Sequence, residues 1–188
     1  NVETIPAQYM NKLNDSLYVF DLGRNIAGVT QLKIEGKAGT IVRLIHAERL
    51  SPNGRVDLGR ISNFHRPTDE EDLFQTDTYI LSGKGKDTFM PKFNYKGFRY
   101  VEVSCSEPME LKKECLTGYF MHNDIPEVGN VATSDPIINK IWKATNVSYL
   151  SNLFGYPTDC PQREKNGWTG DGHLGIEAGL YNYDALTI

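Results

Sequence analysis

The sequence predicts a mostly β protein, an antiparallel β-sandwich followed by the first helices of a helical unit, on three observations. The first two thirds of the chain consist of short β-branched and aromatic runs separated by glycine-containing turns. After about residue 130 the spacing of apolar residues changes from two to three or four. Two amphipathic helices cannot enclose a core alone, so the helical unit is expected to be truncated.

Several runs have strand character and follow one another at a spacing that is typical of a sandwich. They are residues 17–23, 28–36, 39–50, 75–83, 87–93, 97–105 and 111–124. Alternation places two sets of side chains on shared strand faces, namely Thr30, Leu32 and Ile34, and Val42, Leu44 and His46. The stretch 55–72 is charged and has no period, so it is predicted as a long loop.

Two helices are predicted after the strands. Asp135 supplies an N-cap that is followed by a proline, and apolar residues then recur at three- and four-residue spacing up to Phe154. A glycine and a proline shortly afterwards end this helix, and residues 173–186 are predicted to form the second. We therefore expect two domains, a β-sandwich at 1–128 and the N-terminal part of a helical domain at 129–188.

The composition argues against two classes of partner. The 188 residues are 39% hydrophobic and 23% charged with a net charge of −4, so neither a nucleic acid nor an anionic membrane is indicated. No apolar run approaches the roughly 20 residues that span a bilayer. The sequence does not indicate the compartment, although a periplasmic or extracellular location is favoured.

No metal site is predicted. The three cysteines lack the spacing of zinc ligands, and Cys105 and Cys115 remain open between a disulfide and two buried free thiols. His46 and Glu48 share a strand face, where a structural pair is favoured over two ligands of a metal.

The strongest chemical signal lies at 157–173, "PTDCPQREKNGWTGDGH". Its prolines forbid a continuous helix and its glycines supply turns, so it is predicted as a loop on which polar side chains converge. Its acids and its arginine alternate in sign at Asp159, Arg163, Glu164 and Asp171. Trp168 offers a flat apolar wall, beside which a protonated carboxylic acid suits glycosidic cleavage. A salt-bridged connection between two helices, with a core tryptophan, explains the same pattern.

The segment "PTDCPQREKNGWTGD" resembles the signature of the α-L-rhamnosidases of glycoside hydrolase family 78, which are inverting enzymes with an (α/α)6 barrel. Upstream runs such as "FDLGRNIAGVTQLKIEGKAGT" and "FNYKGFRYVEV" resemble the β-sandwich that precedes the barrel in that family. The resemblance covers the chain from about residue 16. It implies an internal piece of such an enzyme, with the two helices as the beginning of the barrel.

The resemblance implies a role for each residue of the signature. Glu164 is the expected general acid, and Asp159 and Asp171 are expected to hydrogen-bond rhamnose hydroxyls and to stabilise the transition state. Arg163 is expected to orient the acids and to contact the sugar, and Trp168 to form an apolar wall. The implied substrate is a rhamnose-containing glycoside or polysaccharide, cleaved without a cofactor.

Inversion requires a second carboxylate, roughly 6.5–9.5 Å from the acid, to activate water. In the family this base lies far downstream, in the later part of the barrel. The chain alone is therefore expected to be inactive and to need the rest of the parent chain, with Glu177 at the surface or between helices. Apolar helix residues such as Ile137, Ile141 and Leu180 are expected to be exposed and to favour self-association.

Two other function classes remain open. The first is a non-catalytic carbohydrate-binding or architectural module, in which the sandwich is the functional part and exposes several aromatics on one sheet face. The second is a different helical-barrel enzyme, such as another glycoside hydrolase or a lyase.

Overall fold

The computed structural model describes residues 2–70 and 72–185 and confirms an antiparallel β-sandwich followed by two helices. The strands are β1 (Val2–Pro6), β2 (Tyr9–Asn14), β3 (Leu17–Glu35), β4 (Ile41–Ala47), β5 (Arg49–Leu50), β6 (Val56–Asp57), β7 (Thr76–Ile80), β8 (Lys86–Phe89), β9 (Lys96–Cys105), β10 (Leu116–Met121), β11 (Leu153–Phe154) and β12 (Tyr156–Pro157). The helices are α1 (Pro136–Ser151) and α2 (Thr169–Asn182), and two short 3-10 turns lie at Ile61–Phe64 and Lys113–Cys115.

One strand, β3, connects the two halves of the sandwich. The strand order is β1-β10-β3-β9-β4-β7, with β2 and β8 also paired to β3. The first half of β3 pairs with β2 and β9, the pairing with β9 continues to Gly28, and the second half of β3 pairs with β10 and β8. The register shifts between Asp21 and Ile26, around Gly23 at φ +81°. The two strands predicted at 17–23 and 28–36 are therefore one strand with an irregularity at its centre.

The alternation read from the sequence identifies the core correctly. Both sets of side chains that it places on shared faces, on β3 and on β4, are buried. The largest fully buried apolar side chains are Tyr18, Phe20, Leu22, Ile26, Leu32, Leu44, Leu81, Phe98, Leu116 and Leu153. Burial of each such side chain stabilises the fold by about 1.5–3 kcal/mol before entropy is counted.

A polar network crosses the core beneath the N-terminal end of β9. The buried Lys96 ammonium lies 2.6 Å from Asp77 Oδ1, and Nε2 of His46 lies 3.0 Å from Thr30 Oγ1. The His46 Nδ1 atom lies 3.1 Å from the Gln75 carbonyl oxygen. The network satisfies most of these buried groups, whereas Asp77 Oδ2 has no hydrogen-bond partner and lies 3.9 Å from His46 Nε2.

The predicted structural pair of His46 and Glu48 is wrong. Strand β4 ends at Ala47, so the alternation that places the two residues on one face stops before Glu48. Its carboxylate instead accepts a hydrogen bond from Gln162 Nε2 at 3.3 Å, at the junction with the helical part. The cysteines of the described residues are free thiols.

Helix α1 begins where the sequence predicts. The Asp135 carboxylate accepts a hydrogen bond from the Ile137 N–H at 2.7 Å, and a proline occupies the first turn. The helix ends before Phe154, which the periodicity had included, because the chain reverses through Gly155 at φ +85° into the β11–β12 hairpin. Neither described helix is long and apolar enough to cross a bilayer.

Helix α2 begins at Thr169, four residues before the predicted start, and ends at Asn182, so residues 183–185 are not helical as predicted. The last predicted residue, Leu186, lies outside the described residues. Directly after α2, the ring of Tyr183 stacks on that of Tyr149 in α1, with centroids 5.7 Å apart. The Trp142 indole N–H donates to Asn182 Oδ1 at 2.8 Å. Ile137, Ile141 and Leu180 are exposed as expected, whereas Leu150 of α1 is partly buried and packs against the core of the sandwich.

The buried imidazole predicts a pH dependence of stability. Burial, reinforced by the Lys96 charge and opposed by Asp77, lowers the pKa of His46 from 6.5 to about 4. The unfolded chain therefore binds a proton between pH 6.5 and 4 that the folded chain does not. Stability falls as the pH is lowered through this window, by about 3 kcal/mol from this residue.

Urea denaturation at pH 7 and pH 4 of the protein and of its His46→Gln variant measures this contribution. The pH-dependent loss of stability is expected to be about 3 kcal/mol smaller in the variant. Nuclear magnetic resonance of the imidazole checks the same point without a mutation. A parallel pH dependence of the two proteins, or protonation of His46 near pH 6.5, contradicts the assignment.

Candidate active site

The chemically rich segment forms a closed loop between the two helices. The Asp159 N–H donates to the Asn166 carbonyl at 2.9 Å, and the Asn166 N–H donates back to Asp159 Oδ1 at 2.8 Å. The Thr158 N–H donates to the Asn152 carbonyl at the end of α1. These bonds join the ends of the loop, so the backbone that carries the side chains between them is held in place.

The Asp159 carboxylate is held by donors on both oxygens. Besides the Asn166 N–H on Oδ1, the Cys160 thiol donates to Oδ2 at 2.8 Å. Burial alone raises the pKa of Asp159, but the hydrogen bonds from Cys160 and Asn166 outweigh it and the pKa lies below its ordinary value. The side chain is therefore a carboxylate at neutral pH.

The Glu164 carboxyl group lies between a cation and an indole. Its Oε1 is 3.1 Å from Arg163 Nη2, and its Oε2 accepts the Trp168 Nε1–H at 3.1 Å. The Glu164 N–H points to the Cys160 sulfur at 3.3 Å. Trp168 itself is the N-cap residue of α2 and is 55% exposed. The chain thus fixes Glu164 from both sides while an aromatic face remains open to solvent.

A cleft of about 480 Å³ opens beside this loop. Asp159, Trp168 and Asp171 lie in its wall. Glu164 is not a lining residue and is joined to this wall by its hydrogen bond to Trp168, whereas Arg163 lines a separate, smaller cavity. Helices α1 and α2 supply most of the other lining residues, among them Tyr149, Leu174 and Ile176. The structure therefore places three of the five predicted site residues, Asp159, Trp168 and Asp171, around one concave surface of the kind that a small-ligand site requires.

Asp171 is not in a turn, contrary to the sequence prediction. The Gly-Asp-Gly run belongs to the first turn of α2, where Asp171 is the acidic residue. Carboxylates are favoured there because the first peptide N–H groups and the helix dipole attract negative charge. The acid consequently projects from a helix end, which is more rigid than the predicted loop.

The loop also rests on the sandwich, through residues that the sequence interpretation missed. Lys165 donates from Nζ to the Tyr95 carbonyl at 2.6 Å, and Gln162 donates to Glu48. Tyr95 in turn packs on Phe154 of β11, with ring centroids 4.5 Å apart. Such long-range contacts carry no local sequence signal, because their partners are separated by up to about a hundred residues.

One group of possible metal ligands occurs in the described part of the chain. Ligand atoms of Asp159, Cys160 and Glu164 lie within 4.8 Å of one another. Their proximity follows from the hydrogen bonds that Cys160 makes to both neighbours. The sequence interpretation assigned no metal here, and the same atoms are accounted for as a hydrogen-bonded cluster.

Comparison with known proteins places both parts of the chain. The family model for the bacterial α-L-rhamnosidase concanavalin-like domain matches residues 11–122, and that for the bacterial α-L-rhamnosidase six-hairpin glycosidase domain matches residues 126–188. An α-L-rhamnosidase of Streptomyces avermitilis is 34% identical over 96% of this chain, and one of Formosa agariphila is 36% identical over 94%.

Solved structures agree with these matches. The crystal structure of the S. avermitilis α-L-rhamnosidase complexed with L-rhamnose superposes with a TM-score of 0.84 at 34% identity, over 97% of this chain and 17% of that one. The α-L-rhamnosidase structure from Dictyoglumus thermophilum gives the same TM-score and identity, over 97% of this chain and 20% of that one. The chain spans 17% and 18% of the length of the two curated relatives.

The close contact between the loop and the sandwich predicts that a methyl group added at the point of contact lowers stability. A Cβ added at Gly97 of β9 would lie 2.9 Å from the Gln162 Cβ and 3.0 Å from the Pro161 Cγ. Gly97→Ala is therefore expected to lower stability by about 1–3 kcal/mol by displacing the loop. Thermal denaturation measures the loss.

Gly175→Ala is the matched control, because an added Cβ at this α2 position meets no atom within 4 Å. That substitution is expected to leave stability unchanged or to raise it by about 0.5–1 kcal/mol. Equal melting temperatures for Gly97→Ala and the unsubstituted protein contradict the close contact.

Proposed function

Because the chain belongs to the bacterial α-L-rhamnosidase family, we propose that the protein hydrolyses terminal α-L-rhamnosyl groups of glycosides or polysaccharides with inversion. The observation that carries the proposal is the placement of Glu164 between Arg163 and Trp168, beside a cleft walled by two further acids. A proton donor, hydroxyl-binding carboxylates and an apolar face are the groups that cleavage of a sugar requires. A bound L-rhamnose in the similar S. avermitilis enzyme supports the choice of sugar.

Glu164 is the proposed general acid. It protonates the glycosidic oxygen as the bond to the anomeric carbon breaks, which removes the need to expel an alkoxide. Arg163 contacts one carboxyl oxygen and the Trp168 indole the other, and these two contacts restrict the orientation of the group. In this proposal Trp168 also presents its exposed face to the apolar side of the rhamnose ring.

Asp159 and Asp171 are the proposed hydroxyl-binding residues. Both line the cleft, one from the closed loop and the other from the first turn of α2. Because hydrogen bonds hold the pKa of Asp159 below its ordinary value, its negative charge is present while positive charge develops on the sugar. A fixed carboxylate in that position stabilises an oxocarbenium-like transition state.

The general base is proposed to come from a later part of the barrel, downstream of residue 188. An inverting pair needs roughly 6.5–9.5 Å between its carboxyl groups, to admit a water molecule. Glu177 is exposed on α2 and is not one of the residues that line the cleft. We therefore expect the described residues alone to be inactive.

A carbohydrate-binding sandwich has less support. That function calls for several exposed aromatics on one sheet face. Within residues 2–70 and 72–185 the exposed large aromatics occupy separate elements, namely Tyr9 on β2, Phe93 after β8, Tyr156 on β12, Trp168 before α2 and Tyr181 on α2. They do not form a binding face on the sheet.

The test is hydrolysis of a rhamnosyl disaccharide and of nitrophenyl α-L-rhamnoside by the complete protein. Glu164→Gln is expected to lower kcat on the disaccharide by about 10²–10⁴-fold, because the amide cannot supply the proton. Calorimetric binding of L-rhamnose should persist, since Glu164 acts on the leaving group.

The matched control is Glu177→Gln, the same chemical change on an exposed residue, which is expected to keep full activity. Retention of full disaccharide turnover by Glu164→Gln would falsify the assignment of the acid. If the unsubstituted protein cleaves other glycosides and not rhamnosides, the proposed substrate class is wrong.

A further inference from the structure

Lys165, the residue after Glu164, anchors the site loop in the sandwich. Its ammonium donates to the Tyr95 carbonyl at 2.6 Å and lies 4.6 Å from the centre of the Tyr95 ring. The carbonyl supplies a hydrogen bond and the ring face attracts the positive charge. Tyr95 immediately precedes β9, whose strand pairs with β3 and β4 at the centre of the fold. The anchor therefore ties the residue beside Glu164 to a rigid sheet.

The backbone at Lys165 has a conformation that requires such an anchor. Its φ is +55°, and Lys165 and Gln75 are the non-glycine residues with positive φ in the described chain. A left-handed backbone is strained for a residue with a Cβ, so it persists only when other contacts enforce it. Here the Tyr156 hydroxyl donates to the Lys165 carbonyl at 2.8 Å, and the side chain is fixed at Tyr95.

This conformation turns neighbouring side chains in different directions. The Lys165 side chain points to the sandwich, where it binds the Tyr95 carbonyl. The Glu164 side chain instead accepts a hydrogen bond from Trp168 at the cleft, and the Asn166 N–H donates to Asp159 and closes the loop. Release of the Lys165 side chain would leave the strained turn without one of its two supports. The orientation of Glu164 depends on that turn because the two residues share a peptide bond.

The surroundings of Lys165 are crowded with charge. On the sandwich side are Lys96 and Asp77, and on the loop side are Cys160 and the Arg163–Glu164 pair. His65 and Asp72 border the same small cavity of about 180 Å³. Burial, and then repulsion by Lys96, lowers the pKa of Lys165 to about 8, and Asp77 opposes the shift. The ammonium form therefore predominates at neutral pH and supplies the charge that the Tyr95 ring attracts.

We propose that Lys165 is a positioning residue, which holds the Glu164 carboxyl group in place for proton transfer by binding the Tyr95 carbonyl. The inference rests on the proposed role of Glu164 as the general acid. It makes the sandwich a part of the catalytic apparatus, since Tyr95 belongs to it and Lys165 to the loop.

Dependence on the leaving group separates positioning from general loss of structure. A dinitrophenolate leaves without protonation, whereas the alkoxide of a second sugar needs the acid. A misplaced Glu164 therefore slows the disaccharide and spares the dinitrophenyl glycoside. A loss of folded protein lowers the rate for both substrates by the same factor.

The experiment compares kcat and KM of the complete protein on 2,4-dinitrophenyl α-L-rhamnoside and on a rhamnosyl disaccharide. Lys165→Met is expected to lower kcat on the disaccharide by about 10- to 100-fold, as a small misplacement of a catalytic group does. Its kcat on the dinitrophenyl glycoside should change less than about threefold, and both KM values should stay near those of the unsubstituted protein.

Two further variants keep the test decisive. Lys165→Gly removes the anchor but accepts the positive φ without strain, so it should fold and still show the selective loss. Lys37→Met makes the same change as Lys165→Met at an exposed lysine that is distant from Lys165 in the sequence. It should alter the rate on neither substrate.

Equal losses on the two substrates, or unchanged rates, in both Lys165 variants would overturn the positioning role. Failure of the proposed function is separately visible, because Glu164→Gln would then show no dependence on the leaving group. A selective loss in Glu164→Gln with none in the Lys165 variants rejects only the present inference.

Discussion

The pair of hydrogen bonds that joins Asp159 to Asn166 is the constraint on which the candidate site depends. It closes a loop around Pro161 that forms neither a helix nor a sheet ladder, so the backbone finds its partners within the loop. The same closure gives the Asp159 carboxylate two donors and brings Cys160 beside Glu164. The charge of Asp159, the position of Glu164 and the hydrogen bonding of the loop backbone therefore all depend on this closure.

The sandwich acts as the support for this loop. Its central strands bury the large apolar side chains, and the end of β9 presents Tyr95 and Gly97 to the loop at close range. A site built on a short irregular segment gains precision only when a rigid element holds it. The Lys96–Asp77 pair beneath that edge adds charge that a purely apolar sheet would lack. Burial and then the Lys96 charge lower the pKa of Lys165, and the Asp77 charge opposes this shift.

Sequence patterns predicted what depends on local order. Alternation identified the buried faces of β3 and β4, and the Asp135 N-cap located the beginning of α1. Glu164 and Trp168 were recognised by resemblance and meet in the structure. The predictions from sequence patterns were wrong where tertiary contacts determine the local structure.

Three such failures have physical causes. The glycine-rich start of α2 looked like a turn, but the helix begins at Thr169, where the Asp171 carboxylate in the first turn favours the helical conformation. His46 and Glu48 were paired by alternation that the end of β4 interrupts. Lys165 and Tyr95, which are in contact, are 70 residues apart in the sequence, and no local motif at either residue predicts the contact.

The central claim is that the cleft beside Trp168 binds a rhamnosyl group with Glu164 directed at its glycosidic oxygen. A crystal structure of the complete protein with bound L-rhamnose tests it most directly. The account predicts the sugar in the cleft, with hydroxyls at about 2.7–3.2 Å from the Asp159 and Asp171 carboxylates and its apolar side against the indole. L-rhamnose bound at another surface, with this cleft empty, would contradict it.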